Sequence, residues 1–211
     1  MTMARNFVRQ GMWGVNPSEF SSSTSSPLWT LMVAGSFVVV GVRDWVPLAL
    51  NVASALALLV VADVLMRRMR ARPALRCGAL LLVVLATPLP ALTFAGMEHI
   101  LHAAATVGFA ALAARLLTRE NSGPGVRLLW AAGLGSVLVV SLRYEGLFLV
   151  AAACGLLLLR RRFVQAVMLG AAGWAPVLIY GFIARFHGWW LLPNSVLLKS
   201  RSFELALVKK Y

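Results

Sequence analysis

A hydrophobic hairpin interrupted by charged residues constrains this chain more than any other segment. Its apolar arms run from Leu128 to Leu142 and from Leu147 to Leu159, and Arg143-Tyr144-Glu145-Gly146 separates them. At about 1.5 Å per residue the whole segment supplies roughly 48 Å of helix, whereas two straight crossings of a bilayer core need roughly 60 Å. If the flanking arginines stay in water, the tip lies below the opposite surface. Charged residues at that depth are costly unless they face a wet or protein-lined cavity, so the tip is a candidate functional site.

Composition places the chain in a membrane. Of its 211 residues 60% are apolar and only 13% are charged, with a mean hydropathy of +0.82. These values predict an all-α, polytopic membrane helix bundle. Cys77 and Cys154 both lie in apolar stretches, so no disulfide framework is predicted.

The formal net charge of +13 would suggest a nucleic-acid partner in a soluble protein, but the arginines are grouped. Three short clusters hold Arg67, Arg68, Arg70, Arg72 and Arg76; Arg115, Arg119 and Arg127; and Arg160, Arg161 and Arg162. Basic residues in short loops mark the cytoplasmic face of a membrane protein. The charge therefore indicates topology, and no nucleic acid is expected to bind.

Six membrane spans are predicted, at 46–66, 74–93, 98–114, 128–142, 147–159 and 163–186. With all three arginine clusters in the cytoplasm, residues 1–45 form an extracytoplasmic first loop. Residues 46–186 then form the transmembrane bundle, and 187–211 form a second extracytoplasmic segment. Apart from the arginines, almost the only charged residues on the inside are then Asp63 and Glu120, so a functional site is expected to open to the outside.

One apolar stretch, at 27–41, does not fit this scheme. It has about fifteen residues, which is short for a crossing. We interpret it as a juxtamembrane helix on the outer face, with Trp29 and Trp45 at the level of the headgroups. A seventh, short span is the alternative.

Glu98 and His102 form the second candidate feature. They are four residues apart, so on one helix they would lie within pairing distance. A carboxylate and an imidazole at a membrane surface could orient a sugar, relay a proton or bind a divalent metal. The alternative is a structural role, since Glu98 also suits the positive N-terminal end of that helix.

Arg143 and Glu145 have two interpretations as well. They could simply neutralise each other, or the arginine could bind a phosphate, whose oxygens match the guanidinium fork. Lys199, farther along the chain, is a point charge that also suits phosphate. For Lys199 the alternative is a lysine that extends its ammonium group to the membrane surface.

At these residues the chain resembles bacterial GT-C glycosyltransferases, and most closely the group that includes the mycobacterial terminal arabinofuranosyltransferases. Four blocks are similar to the family pattern and occur in the same order: RNFVRQGMWGVNPSEFSSSTSSPLWTL at 5–31, GMEHIL at 96–101, RYEGL at 143–147 and HGWWLLPNSVLLK at 187–199. The family uses proline where this chain has Tyr144. The match extends over nearly the whole chain.

The resemblance implies a multi-pass enzyme of the bacterial plasma membrane. Such enzymes transfer a sugar from a polyprenyl-phosphate donor to a glycan or lipid acceptor of the cell envelope at the extracytoplasmic face. It assigns Arg143 and Lys199 to the donor phosphate. Glu98 and Glu145 are the supporting carboxylates, and we expect Glu19, His102 and Asn194 to position substrate. The resemblance leaves open whether a divalent metal takes part, because some GT-C enzymes use one.

The family pattern also includes a pair of acidic residues at the outer end of a first membrane helix, and this chain begins just after them. We therefore expect a chain truncated at both ends, without the usual catalytic base. Two other functions stay open: a non-catalytic membrane scaffold or partner subunit, and a transporter. A transporter would more often show repeated halves, which the sequence does not.

Overall fold

The computed structural model describes residues 1–118 and 125–191, and this part of the chain is all-helical. The helices are α1 (Thr2–Gln10), α2 (Pro27–Val40), α3 (Val46–Arg68), α4 (Pro73–Ala86), α5 (Leu89–Phe94), α6 (His99–Thr118), α7 (Val126–Leu142), α8 (Gly146–Leu159) and α9 (Phe163–Phe186). The run Asn121-Ser122-Gly123-Pro124-Gly125 predicts a turn between helices, and except for Gly125 it lies outside the described residues.

Three of the described helices are long and apolar enough to cross a membrane. They are α3, α6 and α9, with 23, 20 and 24 residues. The other apolar helices, α2, α4, α7 and α8, have 14 to 17 residues. The structure thus shows a helical protein with three candidate membrane-spanning helices among the described residues, whereas the count of six spans stays a prediction.

The predicted span at 74–93 is wrong as a single helix. It breaks at Thr87 into α4 and the short α5, because Pro88 and Pro90 lack the N–H groups that would continue the helical hydrogen bonds. The side-chain amide of Asn51 on α3 donates to the carbonyls of Leu92 and Thr93, at 3.2 and 3.1 Å. A buried asparagine therefore satisfies carbonyls that the end of α5 leaves without a helical partner.

The Arg143–Gly146 tip marks one end of the bundle, which we call the tip end. The first turn of α6 lies there, since Arg143 Nη1 is 2.6 Å from His99 Nδ1. The start of α3 lies nearby, because Leu101 of α6 packs on the same apolar cluster as Val46. The last turns of α9 also reach this end, where Tyr144 and Tyr180 lie with their ring centroids 6.5 Å apart.

The opposite end, which we call the arginine end, is held by two contacts. Asp63 on α3 accepts hydrogen bonds from Arg67 Nε at 2.7 Å and from Arg76 Nη2 of α4 at 2.6 Å. Arg162, at the start of α9, donates to the carbonyl of Leu116 near the end of α6. Members of all three predicted clusters thus share one end of the bundle; which membrane face this end occupies stays a prediction.

Helix α2 lies along the tip end. Its buried residues Trp29, Val33 and Phe37 pack with Val46 and Leu50 in the first turns of α3. Ser25, just before α2, lines the same cavity as Tyr144 of the tip. Helix α2 therefore packs against the start of α3, and the choice between a juxtamembrane helix and a seventh span stays a prediction.

The hairpin has the predicted arms, and its turn is tight. Only residues 143–145 separate α7 from α8. A Cβ atom on Gly146 would lie 2.8 Å from the carbonyl oxygen of Val139 in α7, closer than Cβ atoms normally approach. Gly146 therefore allows α8 to begin directly against the last turns of α7.

We expect Gly146→Ala to destabilise the protein by about 1–3 kcal/mol, because the new methyl group must push the two arms apart. Gly155→Ala, on the same helix, is the matched control, since a Cβ there meets no atom within 4 Å. That variant should be neutral or stabilised by up to about 1 kcal/mol through helix propensity. Thermal unfolding of both in detergent measures the difference, and equal transitions would contradict the close approach.

Candidate functional site

Arg143 is the centre of a cluster of polar side chains at the tip end. Its Nη2 and Nε donate to the two carboxylate oxygens of Glu145, at 3.0 and 3.3 Å. The Arg143 side chain is 21% exposed and that of Glu145 is 42% exposed. This two-point pairing raises the pKa of the Arg143 guanidinium, so the arginine stays charged. The carboxylate and the arginine therefore form an ion pair, and binding of a phosphate by Arg143 stays a prediction.

The start of α6 supplies the other side of the cluster. Arg143 Nη1 lies 2.6 Å from Nδ1 of His99 and 3.6 Å from Oε1 of Glu98. A guanidinium has only donors, so His99 Nδ1 must be the unprotonated nitrogen of a neutral ring. The Glu98 side chain is 13% exposed, and its Oε1 is 3.7 Å from His99 Nδ1. The cluster thus holds one cation, one neutral imidazole and two carboxylates.

The predicted pairing of Glu98 with His102 is wrong. No hydrogen bond or ion pair of the described residues joins the two side chains, and His102 Nε2 is buried without a hydrogen-bond partner among them. The reason is the position of Glu98, which precedes the first residue of α6, His99. Glu98 therefore precedes the residues to which the helical spacing applies. Its side chain contacts His99 and Arg143 instead.

The first loop of the chain docks on this end through aromatic side chains. Trp13 Nε1 donates to the hydroxyl of Tyr180 at 3.1 Å, and the ring of Phe20 stacks on that of His187 with centroids 4.1 Å apart. Tyr144 packs in the same region and is only 7% exposed. Burial raises the pKa of its phenol, so Tyr144 stays neutral.

An apolar cavity of about 920 Å³ opens beside the cluster, between α8 and α9. Its walls run from Leu147 to Leu158 on α8 and from Ala166 to Val177 on α9. Ser25 and the tip residues Tyr144 and Glu145 add polar groups to this lining. Glu145 therefore belongs both to the charged cluster and to the mouth of the cavity.

Of the three other predicted site residues, Glu19 alone is among the described residues. Glu19 is exposed in the loop after α1 and makes no ion pair with a described residue. Asn194 and Lys199 lie outside the described residues. Within 1–118 and 125–191 no group of three histidine, cysteine or acidic side chains is placed to hold a metal ion.

Sequence reasoning gave His99 little weight and did not identify Ser25 or the cavity. The position of His99 at the start of a predicted helix was the available signal. The first residue of a helix lies close to the residues that the preceding turn contacts. No local signal could reveal the cavity, because it forms between two helices that meet only in the folded chain.

No family model, curated protein or solved structure matches this chain. The assignment of the site therefore rests on its geometry and on the residues themselves.

The interaction energy of the Arg143–Glu145 pair can be measured by a double-mutant cycle. We expect the Arg143→Ala and Glu145→Ala changes to show a coupling of about 0.5–1 kcal/mol in thermal unfolding, a small value because Glu145 is partly exposed. A cycle of Arg143→Ala with Glu19→Ala is the control and should show no coupling. A coupling as large in the control would contradict a specific pair.

Proposed function

We propose that this protein is a membrane glycosyltransferase of the GT-C type, or a part of one, that takes a sugar from a polyprenyl-phosphate donor. The acceptor would be a glycan or lipid of the cell envelope, and the reaction would occur at the extracytoplasmic face of a bacterial plasma membrane. The observation that carries the proposal is the position of Glu145, which joins a charged cluster to the mouth of a long apolar cavity.

This juxtaposition suits a ligand with a polar head and a long apolar tail. A cavity walled by apolar side chains of α8 and α9 would hold isoprenoid units. The head of the same molecule would then lie at the tip, within reach of Arg143, His99 and Glu98. A purely polar substrate would leave the cavity unused, and a purely apolar ligand would leave the cluster unused.

The chemistry of transfer fits the polar groups of the cluster. Displacement at an anomeric carbon needs a base for the acceptor hydroxyl and donors that stabilise the charge on the departing phosphate. Arg143 and Lys199 are the proposed donors to that phosphate. Among the described residues, Glu98 has no partner that donates two hydrogen bonds to it as Arg143 does to Glu145, so we assign Glu98 to the hydroxyl groups of the sugar or acceptor. His102 lies one helical turn farther along α6 and would contact the same ligand.

Binding of the polyprenyl tail in the apolar cavity is tested by a substitution that fills the cavity. A side chain at Gly155 meets no protein atom near its Cβ and borders the cavity, so Gly155→Phe should weaken binding of a polyprenyl-phosphate sugar at least about tenfold. The control is Gly78→Phe on α4, where a Cβ is equally free but which lies away from the cavity. Unchanged affinity in Gly155→Phe would contradict the proposed tail site.

The phosphate assignment is tested with Arg143→Ala and Lys199→Ala, with Arg185→Ala as the control. Arg185 is an exposed arginine in the last turn of α9, at the same end of the bundle. We expect donor affinity and sugar transfer to fall about tenfold or more in the first two variants, since each removes a charge-assisted contact, and to stay unchanged in the third. Wild-type protein that binds the donor without transfer would favour the scaffold alternative, and equal donor affinity in all four proteins would contradict the phosphate assignment.

A further inference from the structure

Three of the described helices end in the same hydrogen-bonded cap. In α9 the N–H of Gly188 donates to the carbonyl of Arg185, and the N–H of Trp189 donates to that of Ala184. The same two bonds close α3, where Arg70 occupies the position of the glycine, and α8, where Arg161 occupies it. This is the Schellman motif, and its C′ residue adopts a left-handed backbone conformation.

The left-handed position favours glycine, yet two of the three caps use arginine. The φ angles are 77° at Gly188, 58° at Arg70 and 55° at Arg161. Within the described ranges, Arg70 and Arg161 are the only non-glycine residues with a positive φ. A side chain at this position strains the backbone. The glycine cap lies at the tip end and both arginine caps lie at the arginine end, so the local backbone does not explain the choice of residue.

The charge at the arginine end is poorly balanced by protein groups. Ten arginines of the described residues belong to this end, against the single described carboxylate of Asp63, which already accepts from Arg67 and Arg76. The chain also has Glu120 in the segment 119–124, which the structure does not describe. Arg70 and Arg161 are exposed and make no ion pair with a described residue.

Exposed apolar side chains flank both strained arginines. Met69, next to Arg70, is 80% exposed, and Leu159 and Phe163, on either side of the second cluster, are 81% and 60% exposed. A surface that alternates guanidinium groups with exposed apolar groups suits a ligand with an anionic head beside an acyl chain. Free phosphate or nucleic acid would leave the apolar groups in water.

From this pattern we infer that the arginine end binds the phosphodiester headgroups of anionic phospholipids, with Arg70 and Arg161 as direct contacts. The planar fork of arginine matches two phosphate oxygens, and basic residues beside membrane helices attract anionic lipid surfaces. Headgroup binding gives a reason for an arginine at a position where the backbone favours glycine. This inference does not depend on the proposed transferase activity.

The test uses the full chain in a neutral detergent and compares the thermal midpoint with added phosphatidylglycerol or phosphatidylcholine. We expect phosphatidylglycerol to raise the wild-type midpoint by about 3 °C or more, and phosphatidylcholine or inorganic phosphate to leave it unchanged. In the double variant Arg70→Gly/Arg161→Gly the shift with phosphatidylglycerol should fall to less than about half. The control, Arg5→Gln/Arg9→Gln, removes two arginines of α1 and should keep the full shift.

The thermal midpoint in detergent without lipid shows whether the double variant is as stable as the wild type. Because glycine suits the left-handed position, its midpoint without lipid should equal or exceed that of the wild type. A lower midpoint would mean that the arginines stabilise the caps themselves and would overturn the inference. So would an undiminished shift with phosphatidylglycerol, or an equal shift of the wild type with phosphatidylcholine or inorganic phosphate.

Discussion

The guanidinium of Arg143 needs a countercharge, and the tip end is arranged around that need. An arginine at the end of an apolar hairpin is costly unless it is paired. Glu145 supplies the pair from the same turn, because only one residue separates the two side chains along the chain. His99 and Glu98 then approach the remaining nitrogen from α6. One partly exposed cation thus contacts both the turn of the hairpin and the start of α6.

Sequence reasoning succeeded where a pattern is local. The arms of the hairpin, its charged turn and the grouping of the arginines all follow from residues adjacent in the chain, and α7 and α8 begin within two residues of the expected positions. The pairing of Glu98 with His102 failed because the spacing rule applies only inside a helix. Glu98 lies just before one, and a shift of the helix start by one residue is enough to send its side chain elsewhere.

The other features of the fold and of the site could not be predicted from the sequence, because they depend on how separate segments meet in the folded chain. The apolar cavity lies between α8 and α9, which also pack closely, since a Cβ on Gly173 would lie 2.9 Å from Val150. The spacing of residues along either helix alone does not predict this arrangement. The caps of α3 and α8 show the same limit: composition reveals the arginines, but only the folded backbone shows that two of them hold a left-handed conformation.

The charge of the cluster determines how the proposed donor would enter. Two carboxylates, one guanidinium and a neutral imidazole give a formal net charge of −1, which repels a phosphate as the cluster stands. Binding must therefore be an exchange, in which the phosphate takes the two donor nitrogens that now hold Glu145. In this proposal the exchanged carboxylate is that of Glu145, whose side chain is 42% exposed, whereas that of Glu98 is 13% exposed. A carboxylate released at the mouth of the cavity would lie beside the sugar, where it can accept a hydroxyl proton or hydrogen bond.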